Sequence, residues 1–296
     1  MPLPRACVSV ATARTKAIRT GYLFVLPALL LLLGVLGLPA LVSLLLSFRP
    51  EGGGGLSLEQ YRFLLQDSLF HQTFWNTGLL VVLSVAAHLG LGLAVALALN
   101  LPLRAQPVFR LVALLPWVVP DVIAGIIWKW LYNPLNGALN DVLLRLGLLA
   151  APLDWLGGRY LPLVSVILAN VWRGFPFVML ILLAGLQAIP RERYEAANID
   201  GATALQRFRY ITIPGLRKML VVSLALDTVW EVRRFGLIQA MTQGGPGSLT
   251  EILSTLVYKQ YFKFFRFEYA SAIAVVMTGV LLLVSLPYIR MISREE

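Results

Sequence analysis

Cysteine is nearly missing from this sequence. Cys7 stands alone, which excludes an internal disulfide and a cysteine metal cluster. Histidine is as scarce. His71 and His88 have no second histidine or carboxylate at ligand spacing, and both read as structural residues rather than metal ligands. Charge is thin, at 14% of the chain against about 25% in an ordinary soluble domain. No G-x-x-x-x-G-K-[ST] run occurs, and Gly52–Gly55 lacks the following Lys-Ser/Thr, so the chain has no phosphate loop with which to bind or hydrolyse ATP. G-x-S-x-G and H-E-x-x-H are absent too, and no catalytic residue is expected. No period of 20–50 residues repeats, which excludes a solenoid.

What the sequence has in excess is apolar length. Of 296 residues 58% are hydrophobic, and they cluster in runs. Six runs reach the roughly 20 residues needed to cross a bilayer core: 21–48, 74–101, 109–132, 161–186, 217–241 and 270–291. A membrane-embedded backbone must satisfy its own hydrogen bonds, and none of the runs alternates as a barrel strand does, so each is expected to be helical. The expectation is an all-α membrane protein of six transmembrane helices. A short tail, 1–20, precedes the span domain 21–292, and 293–296 close the chain. Arg5, Arg14, Lys16 and Arg19 resemble the basic start of a signal peptide. The run behind them is longer than the roughly 7–15 apolar residues of such a peptide and has no small-residue cleavage site, so it reads as a retained first span.

The net charge of +10 fits basic loops on the cytoplasmic side better than a nucleic-acid surface, for which no motif exists. With the N-terminus inside, fourteen loop Lys and Arg fall inside and seven outside, and the C-terminus is expected inside as well. The connections at Glu51–Gly55, Asn133–Gly137 and Gln243–Gly247 are rich in glycine, proline or asparagine and read as outer turns. Trp128, Trp130, Tyr132 and Trp155 fall where an outer aromatic belt belongs, and Lys129 between two tryptophans reads as an interface lysine with its head in water.

The connection from Gln187 to Lys218 is too polar to be buried in lipid and too rich in helix formers to be bare loop. Pro190 suits a first helical turn, Gly201 ends the short helix, and Pro214-Gly215 is expected to open the next span. The segment reads Glu195-Ala196-Ala197-Asn198-Ile199-Asp200-Gly201-Ala202, then eight residues, then Ile211-Thr212-Ile213-Pro214. It resembles the E-A-A-x-x-D-G-A-x8-I-x-L-P loop of the permease subunits of bacterial ATP-binding-cassette importers, with Ile213 for the usual leucine. Phe74-Trp75-Asn76-Thr77, Leu115–Pro120, Ile127–Pro134, Val171–Phe177, Leu183–Pro190 and Thr242–Gly247 extend the resemblance over nearly the whole chain. They are similar to the first of the two permeases in maltose-type and glycerol-phosphate-type importers.

The resemblance implies the type I importer permease fold, with 187–215 as a cytoplasmic coupling loop. Glu195, Ala196, Ala197, Asp200, Gly201, Ala202, Ile211 and Pro214 would then meet the ATPase. It implies a second permease, two ATP-binding subunits that carry the ATP and Mg, an external solute-binding protein, and a carbohydrate or related solute such as a glycerol phosphate. The location implied is the cytoplasmic membrane of a bacterium or archaeon. A gradient-driven carrier and a membrane-embedded enzyme are the competing classes. The first commonly shows internal repeats with broken helices at matching positions, and no such repeat is found; the second lacks a His, Cys or carboxylate cluster.

Charge inside a span is costly and marks function. Asp227, Glu231 and Arg234 share one face of the fifth run at i, i+4 and i+7. The related permeases more often carry R-T-x-W-x-F-x-x-F-D here. Trp230 matches that pattern; Asp227, Glu231, Arg234 and Gly236 depart from it. The stripe either lines the solute path or forms an ion-pair seam against the partner permease or the fourth run. Arg173, in the fourth run, is expected to cap carbonyls beside Gly174 and Pro176 or to pair with Asp227 or Glu231, with solute contact as the other reading.

Overall fold

The computed structural model describes residues 22–102 and 104–293. The expected tail 1–20 with Cys7 and its basic residues, the first residue of the expected first span, and residues 294–296 lie outside them. Among the described residues the structure is helical, with no strand. Helix α1 covers Tyr22–Ser47 and α2 Glu59–Gln66. Helix α3 covers Ser68–Leu99, α4 Gln106–Val118, α5 Asp121–Leu131 and α6 Ala138–Arg145. Then come α7, Leu161–Ala188, the short α8, Arg191–Ile199, and one turn, α9, Ala204–Arg207. Helix α10 is Ile213–Val232, α11 Gly236–Met241, α12 Leu253–Tyr258 and α13 Phe267–Ser293.

The centre is α3 packed along α7, with α10 against both. Small residues let the backbones approach, the packing device of helices in lipid. A Cβ on Gly92 of α3 would lie 3.0 Å from the Met179 nitrogen of α7, and one on Gly185 of α7 would lie 2.7 Å from Met219 Cγ of α10. Apolar clusters fill both ends of the bundle. Leu80, Val166, Leu237 and Ile252 share one, and Ala96, Leu182, Leu186 and Leu216 the other. Helix α1 lies outside against α13 and exposes nearly all of its leucines, a surface that lipid suits and water does not.

The span pattern differs from the expectation in three places. The run 109–132 is two helices bent by 96° at Val119-Pro120. Proline pushes the residue before it to extended backbone, and Val119 has ψ 126°. The second helix begins at Ser68, six residues early, because Asp67 caps it by accepting from Leu69 N–H at 2.9 Å. The fifth run stops at Val232 and resumes at Gly236. Pro214 stands in the first turn of α10, where the sequence places the opening of the next helix, and a π-turn over Phe208–Thr212 joins α9 to α10 without a break. The widened turn bonds Ile213 N–H back to the Phe208 carbonyl, and Pro214, having no N–H, loses nothing in the following first turn. By length and composition four helices are apolar enough to cross a membrane, or five with the bent pair as one span; α10 carries Arg217, Lys218, Asp227 and Glu231 and is not among them.

The expected aromatic belt is mostly core. Tyr132 is 1% exposed, stacks on Trp155 at 5.5 Å and donates to the Ser165 carbonyl at 3.0 Å, while Trp128 meets Trp172 edge to face. Trp130 and Lys129 alone stand fully outside.

Candidate functional site

Two regions carry the residues singled out from the sequence. The first is the surface from Pro190 to Pro214. Helix α8 has no buried residue. Tyr194 pins it from below, its hydroxyl 3.0 Å from Thr212 Oγ1 and its ring against the core of α7 and α10. Glu195, Ala196 and Asp200 point outward, and Ala197 and Ala202 are half-buried. The helix closes with Ala202 N–H bonded to the Ala197 carbonyl at 2.9 Å, which requires a left-handed residue between them. Gly201 supplies it at φ +75°, with no atom within 4 Å of where its Cβ would be. Thr203 then caps α9 reciprocally with Gln206. Ile199, Leu205 and Tyr210 are 87%, 74% and 70% exposed around this corner, an apolar patch that water does not favour. Ile211 packs inward, Pro214 stays on the surface, and a Cβ on Gly215 would meet Ile189 at 2.7 Å, which holds α10 close to the corner.

The second region lies inside the bundle. Asp227, Glu231 and Arg234 are 2%, 0% and 7% exposed, so their shared face turns into the chain itself. Asp227 Oδ2 is 2.9 Å from His88 Nδ1 of α3, and His88 Nε2 is 3.2 Å from the Asn170 carbonyl of α7. A carbonyl only accepts, so Nε2 carries a hydrogen, and a second proton joins Nδ1 to the carboxylate. Glu231 accepts from Asn170 Nδ2 at 2.5 Å and pairs with Arg234. Asn170 Nδ2 also donates to Ser84 at 2.9 Å. Arg234 reaches Asp121 of α5 at 3.2 Å, and Arg173 of α7 pairs with the same carboxylate. With the proton on the histidine–aspartate contact, Asp121, Asp227 and Glu231 balance Arg173, Arg234 and that proton.

Three sequence readings are corrected here. His88 is not isolated, and the carboxylate cluster missing from the sequence exists in space: ligand atoms of His88, Asp227 and Glu231 lie within 4.8 Å of one another. Every one of those groups already has a protein partner and Arg234 adds a cation, so the donors suit an ion-pair network better than a metal ion. Arg173 pairs with Asp121, and not with Asp227 or Glu231, and α7 continues as one helix through Gly174 and Pro176. The glycine serves approach instead, since a Cβ there would fall 2.2 Å from the His88 ring.

On one side of this network is an open cavity of about 520 Å³ lined by Trp117, Asp121, Arg173, Trp230, Arg233 and Arg234. Trp230 of α10 thus faces this open space. Asp121 was missed in the sequence, where an acid after Pro120 reads as an ordinary first-turn residue.

A third grouping ties the Phe74–Thr77 motif to the residues just after the Thr242–Gly247 motif. Asn76 Nδ2 donates to the carbonyls of Ser248, Leu249 and Glu251 at 3.0–3.3 Å, and Leu253 N–H donates to Thr77 Oγ1 at 2.9 Å. The start of α3 therefore holds residues 248–253, the segment that follows the Gly244–Gly247 turn.

Residues 89–294 match the family model described as binding-protein-dependent transport system inner membrane component. The chain is similar to the sulfoquinovosyl glycerol transport system permease protein SmoG of Agrobacterium fabrum, 36% identical over 241 residues, 81% of this chain and 78% of that protein. It is similar also to the trehalose/maltose transport system permease protein MalF of Thermococcus litoralis, 36% identical over 279 residues, 92% and 93% of the two chains. Among solved structures, a bacterial ABC transporter involved in the import of the acidic polysaccharide alginate shares the fold, with TM-score 0.84, 22% identity and 96% and 98% coverage.

Proposed function

Because this chain belongs to the family of binding-protein-dependent transport system inner membrane components, we propose that it is the permease through which an ATP-binding-cassette importer brings a carbohydrate into the cell. Relatives named for sulfoquinovosyl glycerol, for trehalose and maltose, and for xylose and arabinose support a carbohydrate solute, either a di- or oligosaccharide or a related compound such as a glycerol phosphate. The partners are a second permease, two ATP-binding subunits that hold ATP and Mg, and an external solute-binding protein. The termini face the cytoplasm, as the fourteen-to-seven bias of loop Lys and Arg argues.

The observation that carries this reading is the uncovered α8 corner. An exposed helix ending in a left-handed glycine and ringed by Ile199, Leu205 and Tyr210 has the form of a docking element. A chain without a phosphate loop receives the force of ATP binding only through such a contact. In this reading Glu195, Ala196, Ala197, Asp200, Gly201 and Ala202 meet the ATPase, and Ile211 and Pro214 fix the corner to α10. Trp230, Arg234 and Arg173 border the solute path; Asp227 and Glu231 form the seam behind it.

The test is purification from membranes followed by reconstitution. The chain should carry an ATP-binding subunit with it, and proteoliposomes should take up labelled carbohydrate only with ATP on the α8 side and the binding protein on the other. A chain that purifies without an ATPase and transports on a proton or sodium gradient alone would be a gradient-driven carrier.

A further inference from the structure

The cavity beside the buried network is unevenly charged. Its lining holds three arginines, Arg173, Arg233 and Arg234, against the single carboxylate of Asp121. Pairing removes most of that excess. Arg173 and Arg234 share Asp121, and Glu231 backs Arg234 from within the wall. The network is then neutral, as counted above, and Arg233 is the charge left over. It is exposed, it sits where α10 breaks off, and no acidic side chain among the described residues pairs with it. An uncompensated guanidinium at the broken end of a helix in the membrane bundle is expensive unless something else meets it.

The same cavity has an aromatic wall. Trp117 and Trp230 line it, and Phe177 bridges them from behind, stacked with Trp117 at 6.1 Å and 25° and meeting Trp230 at 4.4 Å. Trp117 and Trp230 are 37% and 38% exposed. The volume, about 520 Å³, falls within the range of roughly 300–1,000 Å³ usual for small-molecule sites. Flat aromatic faces suit the C–H face of a pyranose ring, and the planar fork of arginine suits a carboxylate, sulfonate or phosphate by two parallel hydrogen bonds.

We propose that this cavity takes a carbohydrate bearing a negative group, its ring on the faces of Trp117 and Trp230 and its anion on Arg233. This rests on the reading of the cavity as part of the solute path. Asp121 and Glu231 keep Arg173 and Arg234 from binding the anion permanently, so one free arginine gives selection without a trap.

The test uses the assembled complex in nanodiscs, without the binding protein, and follows the fluorescence change that Trp230→Phe abolishes. The probes are glucose, glucuronate, glucose 6-phosphate and glucose 6-sulfate, which share one ring and differ at C6. At least one anionic sugar should bind tenfold or more tighter than glucose. Arg233→Gln should remove that advantage, and Arg233→Lys should keep part of it. The anion that gains most identifies the group carried. Glucose binding as tightly as all three anionic sugars, or an anion preference that survives Arg233→Gln, overturns the proposal while leaving the path reading in place; a carboxylate of the second permease on Arg233 would give that result. If no sugar changes the Trp230 signal in a complex that still transports, both readings fall.

Discussion

Glu231 is fully enclosed, with one carboxylate oxygen held by Asn170 and the other by Arg234. Glu231→Gln keeps the size and one acceptor but removes the charge. Arg234 would then have only Asp121, which Arg173 already uses. Neutralising one partner of a buried ion pair costs about 3–5 kcal/mol. The purified complex carrying Glu231→Gln should unfold at clearly lower temperature and be recovered in smaller amount, and adding Arg234→Met should restore part of the loss. Wild-type stability with transport alone abolished would place Glu231 on the solute path instead. The i, i+4, i+7 spacing made this stripe legible, because a helix brings those positions to one face. Its partners were not legible. His88 is 139 residues from Asp227 and Asn170 is 61 from Glu231, and nothing local in the sequence joins them.

Elements meet most tellingly at the start of α3. Asn76 sits in an ordinary helical turn, yet its amide satisfies three carbonyls of the turn after α11. Leaving a buried acceptor without its donor costs about 1–3 kcal/mol. Asn76→Ala should therefore loosen residues 248–251 selectively, seen as faster amide hydrogen exchange there with the α3–α7 core unchanged. Equal protection in the variant would mean the turn holds itself. Helix existence was legible in the long apolar runs, and so was the α8 corner, from Pro190 and Gly201. The bend at Val119-Pro120 was not, because hydropathy runs on unbroken through it and only backbone sterics interrupt it. Pro214 marked the opening of α10 correctly; the π-turn that joins it to α9 without a break has no signal in the sequence.

For the whole molecule, the arrangement places the α8 corner at one end of the bundle and the Gly244–Gly247 turn at the other. If the basic end is cytoplasmic, a reporter fused after Glu296 should be active inside the cell and one inserted at Gly52–Gly55 outside; an external C-terminus would overturn both the orientation and the count of crossings. Between the ends the helices approach closely at Gly92 and Gly185, and under the proposed coupling a push at α8 would reach α7 and α10 through those contacts. The central claim is that α8 receives that push from an ATPase. Gly201→Asp tests it most directly. The left-handed backbone there strains any side chain by on the order of 1–3 kcal/mol, and the open space over Gly201 is where the partner would sit. The measurement is ATP hydrolysis by the reconstituted complex, with and without solute-loaded binding protein, alongside retention of the ATPase on the purified permease. The variant should lose stimulated hydrolysis or the ATPase itself while the binding protein still docks. Stimulation and retention equal to the unmodified complex would contradict the coupling assignment.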